Sequence, residues 1–415
     1  MLSTFDRKGG AAIAVSRLHQ GLQQQGVNST MLVREKLSED PTVIGPAGKL
    51  QQGWAKTRGV IDALPLQLYR RRDRGVTFFP QWLPNRFDLT IEPLAPDILN
   101  LHWVSGGFVP IEALAQFQRP LVWTLHDMWP LTGGCHYSHG CDRYQKACGR
   151  CPQLDSHTDW DLSRWVWRRK ANAWKAVNLT LVCPSHWLAD VARRSSLFHP
   201  VPIEVIANGL DLDQFRPIPQ RTARELLRLP LDVPLILCGA SALDNPTKGL
   251  DLFQTAMQRL RADLSLRSPS AAAEVVLFGP CGDQINLDLG CVVHALGPLQ
   301  DTISLVLTYA AANVMVVPSR YEAFGQTASE ALACGIPVVA FDATGLKDIV
   351  DHQQNGYLAQ PYNDQDLAKG IAWVLDHPQP AALRQTARAK AEQYFSHTKQ
   401  ANHYRQLFEQ CLSLG

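Results

Sequence analysis

Val314–Pro337, VMVVPSRYEAFGQTASEALACGIP, decides the fold of this chain. The apolar run Val314 to Val317 predicts a buried strand, and Pro318-Ser319 stops it. A short loop carrying Glu322 and Gly325 follows. A helix from about Gln326 to Ala333 then carries Glu330, and Cys334-Gly335-Ile336-Pro337 ends it before the strand Val338-Val339-Ala340. Such a strand–turn–helix opened by glycine offers backbone N–H groups and the positive end of a helix dipole, which favour a phosphate. Two carboxylates eight residues apart can also hydrogen-bond paired hydroxyls such as those of a sugar. The same residues fit a plain βαβ unit with one surface and one helical glutamate.

Outward from this stretch, strand-like and helix-like segments alternate, which predicts an α/β protein with parallel sheets. The strands expected in the first half are Met31-Leu32-Val33, Ile98 to Leu101, Leu121 to Thr124 and Leu179 to Val182. Those in the second half are Leu235 to Leu237, Val275 to Leu277, Val314 to Val317 and Val338 to Ala340. Asn208 to Phe215, followed by Pro217 and Pro219, reads as a linker, and Ala381 to Leu414 as a helical tail. Met1 to Phe5 leaves little chain for a first strand, so either that strand is short or the start lies upstream. Lys8-Gly9-Gly10 precedes a helical pattern through Leu18, Leu22 and Gly26, and its glycines let a ligand approach the backbone.

Length and charge limit the function classes. A chain of 415 residues predicts two or three domains, and a formal charge of +2 gives no case for bulk nucleic-acid binding. Asp6, Arg7 and Lys8 stand where an export signal needs apolar residues, and no run of eighteen apolar residues occurs, so a cytoplasmic protein is expected. Cys183, Cys238 and Cys334 sit in apolar segments and read as buried hydrophobes, while Cys281, Cys291 and Cys411 are scattered. Cys135, Cys141, Cys148 and Cys151 crowd into seventeen residues. Their Cys-x2-Cys end has a metal-ligand spacing, which suggests a structural zinc, with His136 and His139 as substitute ligands. The longer x5 and x6 gaps leave disulfides or free thiols equally open. Two basic aromatic stretches, Leu68 to Arg74 with Phe78, Phe79 and Trp82 behind it and Trp160 to Trp174, fit either solvated helix faces or peripheral contact with an anionic membrane.

Glu322 and Glu330, with the flanks PSRYEAFGQ and EALACGIPVV, resemble the E-x7-E element of retaining nucleotide-sugar glycosyltransferases of the GT-B fold. Over nearly its whole length the chain is similar to bacterial members of glycosyltransferase family 4, of the cell-wall or exopolysaccharide type. The resemblance implies two Rossmann-like domains facing across a cleft at the carboxyl ends of their strands. Residues 1–210 would form the acceptor-side domain, with a helix of about 390–415 packing back on it, and 218–385 the nucleotide-sugar domain.

It also implies roles. Glu322, His126 and Lys248 would be catalytic. Gly9, Gly10, Lys248, Arg320, Phe324, Gly325, Gln326 and Glu330 would bind the donor, a UDP- or GDP-sugar. Lys248 would neutralise the diphosphate, and Glu330 would take the ribose hydroxyls. His102 fits either the acceptor side or packing. Gly279-Pro280 and Gly297-Pro298-Leu299 would hold the base. Many relatives carry an arginine where this chain has Ala240 and Ser241, and Arg320 is the candidate substitute. No Asp-x-Asp element stands in the expected place, so no cofactor or divalent ion is expected in catalysis. The acceptor would be a glycan or a lipid-linked sugar, and the protein could rest at the inner face of the membrane. A nucleotide-sugar epimerase of related fold and a non-catalytic sugar-nucleotide-binding scaffold are the competing readings.

Overall fold

Short apolar runs that cannot reach water on either face build two parallel sheets, each covered by helices. The computed structural model describes residues 1–85, 91–262, 269–280, 287–299 and 301–413. Cys281 and Leu414 lie outside the described residues. The chain divides into two units, Met1–Ala207 with Gln400–Gly415, and Asn208–Lys399.

The first unit holds seven strands: β1 (Leu2–Phe5), β2 (Met31–Glu35), β3 (Val43–Ile44), β4 (Leu99–Leu101), β5 (Leu121–Thr124), β6 (Leu179–Cys183) and β7 (Ile203–Val205). Their order is β3-β2-β1-β4-β5-β6-β7, and every pairing is parallel. The strand order reverses between β1 and β4, so a crevice opens beyond their carboxyl ends. Met1 to Phe5 does supply the first strand, and it lies in the middle of the sheet. Helix α1 (Gly10–Gln24) packs Leu18 and Leu22 against Val122 and Val182, together with Ala401, Tyr404, Leu407 and Phe408 near the end of the chain. The first unit also contains α2 (Lys49–Asp62), α3 (Leu162–Trp174) and α4 (His186–Arg193).

The second unit repeats the plan with β8 (Leu235–Gly239), β9 (Glu274–Phe278), β10 (Val293–Ala295), β11 (Val314–Val317), β12 (Val338–Phe341) and β13 (Gly356–Ala359). The order is β10-β9-β8-β11-β12-β13, again wholly parallel, with the reversal between β8 and β11. Its helices are α5 (Gln220–Leu227), α6 (Leu250–Ala262), α7 (Thr302–Ala311), α8 (Gln326–Ala333), α9 (Asp364–Leu375) and α10 (Pro380–Tyr394). The core joins Ile236, Val275, Val314 and Val316 of the sheet to Phe253 and Met257 of α6 and to Leu367 and Ile371 of α9.

The helical tail is two helices: α10, and α11 (His397–Ser413). Within α11, Ala401, Tyr404 and Phe408 are spaced as one face of a helix, and that face is buried in the first unit's core.

Candidate functional site

In the second unit the candidate residues collect beyond β8 and β11, the two strands that flank its reversal. After β8, the single turn Pro246–Lys248 is capped by Asn245, whose side chain accepts from Thr247 N at 2.9 Å. Gly249 follows with φ +67°, and a Cβ there would stand 2.0 Å from the Pro318 carbonyl oxygen. That close approach needs a glycine, and it brings Lys248 to the end of β11. The Lys248 ammonium donates to Glu322 Oε1 at 2.7 Å, and the Ser319 hydroxyl donates to the same oxygen at 2.9 Å. Glu322 Oε2 has no protein partner among the described residues. The pair is partly open, with the lysine side chain 24% and the glutamate 14% exposed.

The turn into α8 is as tightly specified. Gly325 has φ +114°, and a Cβ on it would lie 2.6 Å from Leu346 Cδ2. No side chain caps α8, so its positive end is available to an anion. Glu330, one turn further, is only 4% exposed, and its Oε2 accepts from the Tyr309 hydroxyl at 2.8 Å. Phe324 is buried, edge-on to Phe395 with ring centroids 5.6 Å apart. Its side chain is therefore part of the packing beneath the turn.

Arg320 is committed elsewhere. Its guanidinium makes a two-pronged pair with Asp251 at 2.7 and 2.6 Å and donates to the Pro246 carbonyl at 3.1 Å. The Arg320 bond holds the Asp251 carboxyl below its ordinary range. Arg320 thus braces the loop that carries Lys248. Further along the sheet, Gly279 has φ +110° and stands so close to the Ala240 carbonyl oxygen that a Cβ would lie 2.0 Å from it. Gly279 N donates to the Gly297 carbonyl at 2.8 Å, joining the two loops expected around a base.

In the first unit, Gly9 (φ +86°) has open space where a Cβ would be, and α1 begins at Gly10 without a side-chain cap. His126 and His102 follow the neighbouring strands β5 and β4, and a run of hydrogen bonds fixes both. The Tyr404 and Thr124 hydroxyls meet at 2.8 Å, and Asn100 Nδ2 donates to Thr124 Oγ1 at 3.2 Å and to the Val122 carbonyl at 3.0 Å. A carbonyl can only accept, so the Asn100 amide orientation is set and its Oδ1 faces His102 Nε2 at 2.8 Å. His102 must then carry its proton on Nε2. Its bare Nδ1 accepts from His126 Nε2 at 3.0 Å, which leaves His126 Nδ1 as an acceptor. Burial holds both rings neutral, lowering His126 to about 4 and His102 well below the ordinary histidine value.

Asp127 stands beside this chain. It accepts from Trp103 Nε1 at 2.8 Å and Trp129 N at 2.6 Å, and lies 3.0 Å from His136 Nδ1. Burial pushes its carboxyl upward, but the His136 ring and these donors outweigh that and hold it low. His136 Nδ1 thus faces Asp127.

Cys135, Cys141, Cys148 and Cys151 line one cavity of about 20 Å³. All four are free thiols, so the disulfide reading fails. Among the described residues no three His, Cys, Asp or Glu side chains are placed to hold a metal ion. The expected zinc ligand set is therefore corrected to a thiol-lined cavity. Burial, with the other thiols adding to it, pushes Cys148 up to about 12 and Cys151 up to about 11, and raises Cys135 as well. Gly133 N donates to Cys148 Sγ at 3.1 Å. Lys170 of α3, expected with its basic aromatic stretch on a solvated or membrane-facing surface, lies instead beside this cavity. It is fully buried, donates to the Thr132 carbonyl at 2.9 Å and to that of Trp129, and lies 3.5 Å from the Trp129 ring centroid. Of the other basic residues of α3, Arg168 stacks on Trp160, just ahead of the helix, and Arg169 on Trp165 within it.

The family described as "Glycosyltransferase Family 4" matches residues 8–214, and "Glycosyl transferases group 1" matches 224–393. The chain belongs to glycosyltransferase family 4. A D-inositol 3-phosphate glycosyltransferase 2 of Catenulispora acidiphila is 34% identical over 193 residues, 43% of this chain and 44% of that protein. A D-inositol 3-phosphate glycosyltransferase of Thermobispora bispora is 29% identical over 308 residues, 71% of this chain and 65% of the relative. The chain thus spans about half the length of the first of these relatives and about two thirds of the second. Among solved structures, a sucrose-phosphate synthase from Thermosynechococcus elongatus superposes with a TM-score of 0.71 at 21% identity, covering 100% of this chain and 99% of the other. HepE from Anabaena, solved with UDP and glucose, gives 0.62 at 19% identity, covering 98% and 99%. At these identities the likeness establishes the GT-B fold.

Proposed function

We propose that the protein is a retaining, metal-independent glycosyltransferase. It would move a sugar from a UDP- or GDP-sugar to a glycan or lipid-linked acceptor in polysaccharide or cell-envelope biosynthesis, in the cytoplasm or at the inner face of the membrane. The observation that carries the reading is the Lys248–Glu322–Ser319 cluster beyond the two strands flanking a sheet reversal, next to the uncapped start of α8. That is where an α/β sheet binds a phosphorylated ligand.

In this reading Lys248 and the first N–H groups of α8 stabilise the charge that develops on the leaving diphosphate. Glu322, with Oε1 held by Lys248 and Ser319, turns Oε2 to a hydroxyl of the donor sugar. The acceptor oxygen bonds to the anomeric carbon on the face from which the diphosphate departs, and its proton passes to the departing phosphate oxygen. Glu330, oriented by Tyr309, takes a ribose hydroxyl. His126 offers Nδ1 to a sugar hydroxyl, and Gly9 and Gly10 let the ligand approach the backbone. Gly325 and Gln326 open the phosphate end of α8, while Phe324 and Arg320 support the turn and the Lys248 loop. The four cysteines stand outside the reaction as a structural unit.

The experiment is nucleoside diphosphate release from a panel of UDP- and GDP-sugars, with and without lipid-linked acceptors and with a chelator present. Release from one donor, dependent on acceptor and unaffected by the chelator, is expected. Interconversion of the sugar without release would instead identify an epimerase. Binding without turnover of any donor would identify a scaffold.

A further inference from the structure

Helix α2 is amphipathic in the wrong sense for a helix that meets only water. Its buried residues are Ala55, Arg58 and Asp62. Arg58 donates to the Gly107 carbonyl at 2.8 Å and the Pro84 carbonyl at 3.0 Å. The Asp62 carboxylate accepts from Gln81 N at 3.1 Å and Trp82 N at 2.9 Å. The helix is thus fastened by polar bonds on its inner face. Its outward face presents Leu50, 91% exposed, Trp54, 55%, and Val60, 69%. At about 100° per residue these three side chains span an arc of about 120°, with Val60 opposite the buried residues and Trp54 at the near edge, where the Arg58 guanidinium lies over its ring at 6.0 Å. Lys49 and Lys56 lie together along one edge of that arc. The turn Leu64–Leu68 continues the surface with Leu64 44% and Leu68 84% exposed.

Charge is concentrated on the same segment. Residues 49–74 carry Lys49, Lys56, Arg58, Arg70, Arg71, Arg72 and Arg74 against Asp62 and Asp73, a net of +5 in a chain whose total is +2. Both of the segment's buried charges, Arg58 and Asp62, lie on the inner face and offset each other, so the excess faces outward. Exposed leucine, valine and tryptophan bordered by lysine and arginine match the boundary of an anionic bilayer, where apolar side chains enter the acyl region and cations meet the headgroups. A second copy of the chain would cover the apolar arc, but it would bring two such positive segments face to face.

We propose that the outward face of α2, together with Leu64, Leu68 and the arginines from Arg70 to Arg74, docks the protein on an anionic lipid surface. No helix among the described residues is long and apolar enough to cross a membrane, and this docking is peripheral. The proposal stands apart from the donor-site reading, because lipid binding is measured without any nucleotide sugar.

The test is co-sedimentation of the full chain with vesicles of phosphatidylcholine alone and of phosphatidylcholine containing phosphatidylglycerol. Binding to the anionic vesicles, weakened by salt, is expected, with little binding to the neutral ones. Leu50→Glu with Val60→Glu should weaken it about tenfold or more by removing apolar insertion and adding negative charge. Arg70→Glu with Arg71→Glu should weaken it to a similar extent, about tenfold per pair or more. Both pairs are exposed, so melting temperature and circular dichroism should match the native chain, and a variant that fails this check is replaced by Trp54→Gln with Leu68→Gln. The proposal is overturned if the native chain ignores anionic vesicles or if both variant pairs bind like the native chain. Concentration-dependent self-association that Leu50→Glu with Val60→Glu abolishes, in a chain that does not bind vesicles, would reassign the face to a second copy.

Discussion

The two sheets share one strand order but fix their polar groups by different means. Beyond β8 and β11, Lys248, Glu322, Arg320 and Asp251 are held as ion pairs between two short loops and the first turn of α6. At the carboxyl ends of β4 and β5, Tyr404, Thr124, Asn100, His102 and His126 form a neutral hydrogen-bonded run that joins distant parts of the sequence. The charged arrangement suits a site where negative charge must be stabilised. The neutral one suits a site where a single acceptor atom must point in one direction. Variants that treat the two regions alike should therefore behave differently.

The largest effect is expected in the second unit. Lys248→Ala should lower kcat with the best donor about 100-fold or more, because a fixed cation facing the diphosphate is lost. Steady-state diphosphate release checks this, and an unchanged kcat would return Lys248 to the role of a solvated side chain. Glu330→Ala should mainly raise the donor KM, through lost hydrogen bonds to a charged group worth about 1.5–3 kcal/mol. If only the melting temperature falls, Glu330 serves Tyr309 and the helix alone.

In the first unit, His102→Ala should lower kcat about tenfold by releasing the His126 tautomer, with donor KM little changed. His102→Gln, which can still accept from His126, should recover part of that loss. Nitrogen-15 spectra of labelled histidine should show His126 protonated on Nε2 in the native chain. The same burial makes stability depend on pH. His19 and His126 have folded values of about 4, below the ordinary 6.5, so the unfolded chain takes up protons first as pH falls. Stability should therefore decline between about pH 6.5 and pH 4 in denaturant titrations, and His19→Gln should flatten that slope. The smallest effect on turnover is expected at the thiol-lined cavity. Cys148→Ser should lower the melting temperature while leaving kcat per folded molecule unchanged, and metal analysis of the native chain should find no stoichiometric zinc.

The same contrast explains what the sequence disclosed. The Val314–Pro337 stretch yielded strand, turn, helix and second strand in the right places because its interactions lie within one loop and its partner strands. The edge strands β3, β7, β10 and β13 were not named, because they are short or only partly apolar and owe their conformation to a neighbour. Tyr404 carried no signal and Asn100 only that of a strand residue ahead of His102, since the run they form exists only once the last helix packs beside β5. Arg320 shows the opposite limit of a sequence reading. A basic residue in a loop expected to face a phosphate invites a ligand role, and the fold pairs its guanidinium with Asp251, 69 positions away. The cysteine spacing suggested a metal ligand set, and the fold brings the four thiols around one cavity without arranging them as ligands.

The most direct test of the account is turnover and binding measured together for Glu322→Gln. The substitution keeps the shape and removes the charge that Lys248 and Ser319 hold, so nucleoside diphosphate affinity by calorimetry should stay within about threefold of native while sugar transfer falls about 100-fold. Transfer at the native rate by Glu322→Gln would contradict the account.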